Sequence, residues 1–401
     1  MRMLRIRFVP AIVSIALATS ATAQSPREVV HRALQNRAKM KGAYAQNSAA
    51  RDIAASTSAY PLTRIETGDT TRPDPTGGED LTLFQPIDIF GKTRAAHAAG
   101  AAVVRNADAN LRLAQLNIQH ETLTAYAALG NAIRSHVYAL SQLKTLKQVA
   151  EATRKLVGAK VLPETQLIRA ELELSRAEQI DIDRLAAIQV ARVRMQQAMG
   201  VTELNFTESG TEPIEPTLLK KADPEHRLPE MLSLMAERDG FHADFEAAKL
   251  SRLPDVEIQV RRTPFSSFED RYGVRLELII PLWDHGAAKN KMAAARKQSQ
   301  ASSLEILDLK SRIAADIESA TIQVNACQRS LAAYERIVDG SKVILAKTKR
   351  GFELGALSLL EVFDAKRSLD DALAGLASAQ YSLDLAVEAA LQAQGQLLED
   401  K

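Results

Sequence analysis

Glu361 and Asp364 stand three residues apart, so on a helix they share one face and in a symmetric oligomer they would form rings of carboxylates. The alternative is that they are solvated acids in a first helical turn, stabilised by the positive end of the helix dipole. Other chemistry has no visible carrier. The seven histidines, at positions 31, 97, 120, 136, 226, 242 and 285, lack ligand spacing, and surface or helix-packing roles suit them better than a metal site. Cys327 is the single cysteine, which excludes an intramolecular disulfide and reads as a small buried thiol. No phosphate-binding loop, nucleophile elbow or H-E-x-x-H pair occurs, and Gly77-Gly78 reads as a hairpin turn. The net charge of +2 and the absence of aromatic-basic interleaving argue against nucleic acid. The expectation is neither an enzyme nor a cofactor protein.

The elements that would position such acids are duplicated. Sliding the chain against itself by 195 residues pairs Leu81 with Leu276, Leu83 with Leu278, Pro86 with Pro281, Gly91 with Gly286, Ala170 with Ala365 and Gly200 with Gly395. Each copy predicts a helix ending at a proline, a strand pair, a very long helix, a tight tip and a shorter returning helix. The expected boundaries are a first repeat over 24–200, with its hairpin at about 60–86 and tip at about 158–163, and a second over 224–401, with its hairpin at about 255–281 and tip at about 351–358. The proline- and glutamate-bearing segment 201–223 is the expected joint at mid-height. Residues 1–23, with Arg2, Arg5 and Arg7 before an apolar run and Ala21-Thr22-Ala23, read as a cleavable signal peptide.

Proline-free runs predict long helices from about Lys92 to Val157 and from about Ala287 to Phe352, the second with a coiled-coil seam through Val324, Cys327, Leu331, Tyr334 and Val338. At about 1.5 Å per residue each spans roughly 100 Å, more than the returning helix alone can match. Single helices over Pro26–Ala59 and Pro224–Leu253 are expected to complete the path.

Val256, Ile258 and Val260, and then Val274, Leu276 and Leu278, alternate with mostly polar residues, as strands with one polar face do. Residues 71–78 and 262–267 carry turn chemistry. No other stretch reaches the ~20 apolar residues of a spanning helix, so membrane contact must be by strands. Isolated hairpins cannot satisfy their edges in lipid, and a homotrimer of four-stranded chains would close a twelve-stranded barrel. Trp283, Phe84 and Tyr60 fall at strand boundaries, as an interfacial girdle would require, or as core aromatics at a corner.

The motif Leu81-Thr82-Leu83-Phe84-Gln85-Pro86-Ile87-Asp88-Ile89-Phe90-Gly91-Lys92, its echo at Leu276 to Gly286, and the stretch Gly351 to Ala365 resemble the TolC-type outer-membrane efflux proteins over nearly the whole mature chain. The resemblance implies a mainly α fold with β-hairpins, in which a coiled-coil helical barrel in the periplasm continues into a trimeric transmembrane β-barrel in the outer membrane. It implies a passive duct fed by a periplasmic adaptor (membrane fusion protein) and an inner-membrane pump, and Pro86 to Lys92 is most similar to the branch serving resistance-nodulation-division pumps for cations and drugs. Glu361 and Asp364, with first-copy counterparts Gln166 and Arg169, would then line the periplasmic constriction, and an Arg169 pair with either acid would hold it shut. Lys160, Leu162, Gly355 and Leu357 would form the tips that touch the adaptor, with Lys160 departing from the glycine at Gly355 and putting docking at the first tip in doubt. The alternative is a poreless periplasmic adaptor or scaffold, which the two hairpins and two strand pairs disfavour.

Overall fold

A computed structural model of the chain describes residues 25–69, 79–203, 211–219, 228–266 and 269–399. The expected signal peptide and the connection at 70–78 lie outside the described residues, as does part of the 201–223 joint. The element order is α1 (Pro26–Asn36), α2 (Ala38–Thr57), β1 (Arg64–Asp69), β2 (Glu79–Ile87), α3 (Lys92–Gly158), α4 (Glu164–Met199), α5 (Pro229–Leu250), β3 (Asp255–Ser266), β4 (Glu269–Ile279), α6 (Ala287–Glu353) and α7 (Leu359–Ala393).

Both α3 and α6 run for 67 residues, about 100 Å each. They begin alike. Gly91 and Gly286 adopt left-handed backbone at φ 80° and 83°, and an aspartate caps the free N–H groups that follow. Asp88 accepts from the backbone of Gly91, Lys92 and Thr93, and Asp284 from that of Gly286 and Ala288. Burial pushes the Asp88 carboxyl upward, but its hydrogen bonds from Thr93, Lys92 and Gly91 outweigh that and hold it below the usual range.

No single helix matches these long arms. α7 covers the distal part of α6 and α5 the part near the strands, while α4 and then α1 and α2 do the same for α3. The expected single helix over Pro26–Ala59 is broken at Arg37, which is extended at φ −66°, ψ 129°. The cause is packing. A Cβ on Gly200, the left-handed end of α4, would lie 3.1 Å from the Arg37 Cα, so the end of α4 sits directly on the break. Arg37 itself binds Glu121 on α3.

The largest core cluster lies where these pieces meet, with Val29 and Val30 of α1, Leu123, Tyr126 and Leu129 of α3, Met195 of α4, Ile214 of the joint, Val324 and Cys327 of α6, and Val387 and Leu391 of α7. A polar tie runs through it. The Asp384 carboxylate, 2% exposed, meets Arg134 at 3.0 Å and accepts from the Ile214 N–H at 3.1 Å and Gln380 at 3.0 Å. Gln119 donates to the Gln396 carbonyl and accepts from the Leu398 N–H, each at 2.8 Å, which fastens the segment after α7 to α3. Farther toward the tips, Gly375 of α7 admits the Tyr334 ring of α6, which a Cβ there would strike.

The four strands form one antiparallel sheet in sequence order. The expected turn at 262–267 is instead mostly strand. β3 continues to Ser266, with Pro264 opposite Asp270 and a register shift between Pro264 and Ser266. A proline without an N–H is compatible with a strand at such an irregularity.

Two measurements check this description. Gly375→Ala forces Tyr334 out of its seat and lowers unfolding stability by about 1–3 kcal/mol. Asp88→Ala removes a cap worth about 1 kcal/mol at neutral pH. Because the folded carboxyl titrates below its unfolded value, its contribution is present above the unfolded pKa and is lost as pH falls through the folded one. Urea unfolding of wild type and Asp88→Ala should therefore converge toward acid pH.

Candidate functional site

Residues opposite one another in an antiparallel sheet share a face. In the sheet, Ile65, Leu83, Val260 and Val274 form one apolar row, Ile258 and Leu276 add to a second, and Ile87, Val256 and Leu278 form a third. The opposite face carries Arg64, Phe84, Gln259 and Arg275 in one row, Glu66, Thr82 and Arg261 in the next, and Glu257 with Glu277 beyond. On the apolar face, which Gln85 and Arg262 also share, Val274 is 78% exposed and Leu276 68%. On the polar face Arg64 reaches Glu257 at 3.2 Å and lies 4.4 Å over the Phe84 ring. Neither β1 nor β4 has a second strand partner among the described residues.

Phe84 therefore departs from the girdle expected of it. It lies among charged residues, held by a cation-π contact. Tyr60 is half exposed and its hydroxyl accepts from the Asp88 N–H at 3.2 Å, so it fastens the strand-helix corner. Trp283 stands out at 83% exposure just beyond β4, beside exposed Leu282 and Ile280.

At the far end of the molecule the two tips share one backbone. In the first, Lys160 N–H donates to Val157 and Val161 N–H to Leu156, each at 2.9 Å. In the second, Gly355 N–H donates to Phe352 and Ala356 N–H to Gly351, also at 2.9 Å each. These are the same two bonds displaced by 195 residues, and they close both helices with the Schellman pattern. Lys160 takes the left-handed conformation that Gly355 takes, at φ 58° against 75°. The missing glycine thus changes the cost of the first tip and leaves its shape intact. Side chains do differ: the Leu357 side chain lies where a Cβ on Gly351 would project, whereas Leu156 and Leu162 occupy the matching positions of the first tip and pack on its core.

Glu361 is exposed in the first turn of α7 and closes a capping box with Ser358, accepting from its N–H at 2.6 Å and its hydroxyl at 2.8 Å. Those bonds hold its carboxyl below the usual range. The Ser-x-x-Glu spacing that announces this cap is present in the sequence as Ser358-Leu359-Leu360-Glu361. Asp364, one turn on, is exposed and lines an open depression with Tyr334, Ile337 and Arg367. Gln166 and Arg169 occupy the corresponding turn of α4, where Arg169 is exposed. Within one chain Arg169 pairs with neither acid, and Glu361 is engaged by its own helix instead.

This arrangement, a small two-faced sheet continued by helices of about 100 Å, is shared with known proteins. The family model "Outer membrane efflux protein" matches residues 225–396. The chain is 26% identical over 209 residues to the outer membrane protein TolC of Vibrio cholerae, and 23% identical over 332 residues to that of Escherichia coli. Over residues 225–396 the chain is similar to the outer membrane efflux proteins. It aligns with 75% of itself to the Escherichia coli relative, and spans 46% of the Vibrio cholerae protein and 66% of the Escherichia coli one, less than two thirds of each. Its fold matches the outer-membrane channel OprN with a TM-score of 0.75 at 20% identity, covering 94% of this chain and 91% of that one. CusC matches with a TM-score of 0.78 at 16% identity, over 93% and 92% of the two chains.

The tips supply a clean test of backbone cost. A Cβ on Gly355 meets nothing within 4 Å, so Gly355→Ala costs only the left-handed conformation, about 1 kcal/mol, by thermal or urea unfolding. Lys160→Gly, which relieves the same strain in the first tip, leaves stability unchanged or higher.

Proposed function

We propose that the chain is the outer membrane duct of a tripartite efflux system, passively conducting substrate delivered by a periplasmic adaptor and an inner-membrane pump. The two-faced sheet with two open edges carries this reading. In lipid, every unpaired strand edge costs several kcal/mol per group, and only closure removes the edges. Pairing β4 of one copy with β1 of the next, three times over, gives twelve antiparallel strands, with the Ile65-to-Val274 face toward lipid and the Arg64-to-Arg275 face toward the lumen. The exposed Trp283 then sits at a membrane-water boundary, as tryptophan prefers.

The helices favour the same assembly. Exposed Ile168, Leu172, Ile182 and Val193 leave an apolar stripe on α4, and Leu304, Leu307, Ile337 and Ile344 another on α6. Those two helices flank the α3·α7 contact on opposite sides, so α4 of one copy would meet α6 of the next and complete a tube. At its far end Glu361 and Asp364 would form acid rings, and the tips at Lys160, Leu162, Gly355 and Leu357, with exposed Val161 and Leu354 beside them, would meet the adaptor. The stretch Pro86 to Lys92 is what supports a pump of the resistance-nodulation-division type as the partner.

The purified full chain in a planar lipid bilayer should conduct ions as a cross-linkable trimer, and a soluble, non-conducting monomer would refute the channel. In the same recordings, Glu361→Gln with Asp364→Asn should move the reversal potential in a salt gradient toward that of a non-selective pore. An unchanged reversal potential would remove the acids from the conduction path.

A further inference from the structure

Between α4 and α7, on the surface of α3, lies a cavity of about 420 Å³ that the duct reading does not use. It is lined by Tyr138 and Gln142 of α3, Ile180 of α4, and Asp370, Leu373 and Tyr381 of α7, so one chain supplies all of it. Gln142 is 9% exposed, yet its Oε1 has no hydrogen-bond partner. The Asp370 Oδ2 holds Lys366, while its Oδ1 is buried and has none. Two buried acceptors left open in one cavity are costly, and both can take a donor.

We propose that this cavity is a binding site for a small organic amine with an aromatic body, whose N–H groups donate to Gln142 Oε1 and Asp370 Oδ1 and whose ring lies between Tyr138 and Tyr381. The charges agree with that choice. Lys366 is already engaged by Asp370, and the second carboxylate, Asp371, and the second cation, Arg184, are both exposed and offset one another, which leaves the open Asp370 oxygen to decide the sign. Aromatic walls favour a flat cation, which gains attraction from their faces. Mixed apolar walls with a few convergent polar groups are the usual make-up of a small-molecule site. Because α3, α4 and α7 of one copy form the site, it does not require trimer closure.

Proflavine, a flat fluorescent diamine that is cationic at neutral pH, is a direct probe. Fluorescence polarisation with the purified full chain in detergent should give saturable binding. Gln142→Leu removes an unsatisfied acceptor at similar size, so its melting temperature should equal or exceed that of wild type while proflavine affinity falls at least tenfold. Ala374→Trp, at the exposed edge of the same cavity, should abolish binding. Non-saturable binding, or equal affinity for wild type and Gln142→Leu, would overturn the assignment whether or not the tryptophan variant folds. Conductance measured on the same preparations separates failure of this site from failure of the channel.

Discussion

A helix of 67 residues with no equal partner is the constraint on which this molecule is built. About 100 Å of apolar seam must be covered, and the returning helices α4 and α7 cover only about half of it. The remainder falls to α1, α2 and α5, which enter from elsewhere in the chain. Every such relay leaves helix ends facing one another inside the helix bundle, with N–H and C=O groups that need partners. The equatorial tie among Asp384, Arg134 and Ile214, and the clasp of Gln119 on Gln396 and Leu398, are the local answers to that problem. The break at Arg37 under Gly200 is another, made by contact instead of by hydrogen bonds.

Much of the architecture was legible because it rests on spacing. The 195-residue offset, the proline-free runs and the alternation through Val256, Ile258 and Val260 each report a period, and periods survive divergence. What escaped the sequence depends on partners distant in the chain. Arg37 carries no helix-breaking signature; it is bent by the end of α4, more than 160 residues away. Pro264 looks like turn chemistry until β4 is seen to continue opposite it. Phe84 has the composition of a girdle residue, and only the register shows that it shares a face with Arg64 and Gln259.

The candidate site was legible in its residues and less so in their engagements. The expectation of acids in a first helical turn did not include the cap that Ser358 and Glu361 form, by which the acid stabilises its own helix whatever else it does. Lys160 shows the limit of reading a missing glycine as a missing structure. The hydrogen bonds of the tip dictate the left-handed turn, and a lysine bears the strain to keep them. The open oxygens of Gln142 and Asp370 have no signature at all in a linear sequence, since the absence of a partner is a property of three dimensions.

The position of the equatorial joint also sets a mechanical ratio. Beyond it, α4 and α7 extend 36 and 35 residues to the tips, a lever of about 54 Å. A rotation of only about 5° at the joint sweeps a tip through roughly 5 Å, about the rise of one helical turn. A small rearrangement among Asp384, Arg134 and the Ile214 backbone would therefore be magnified at the far end.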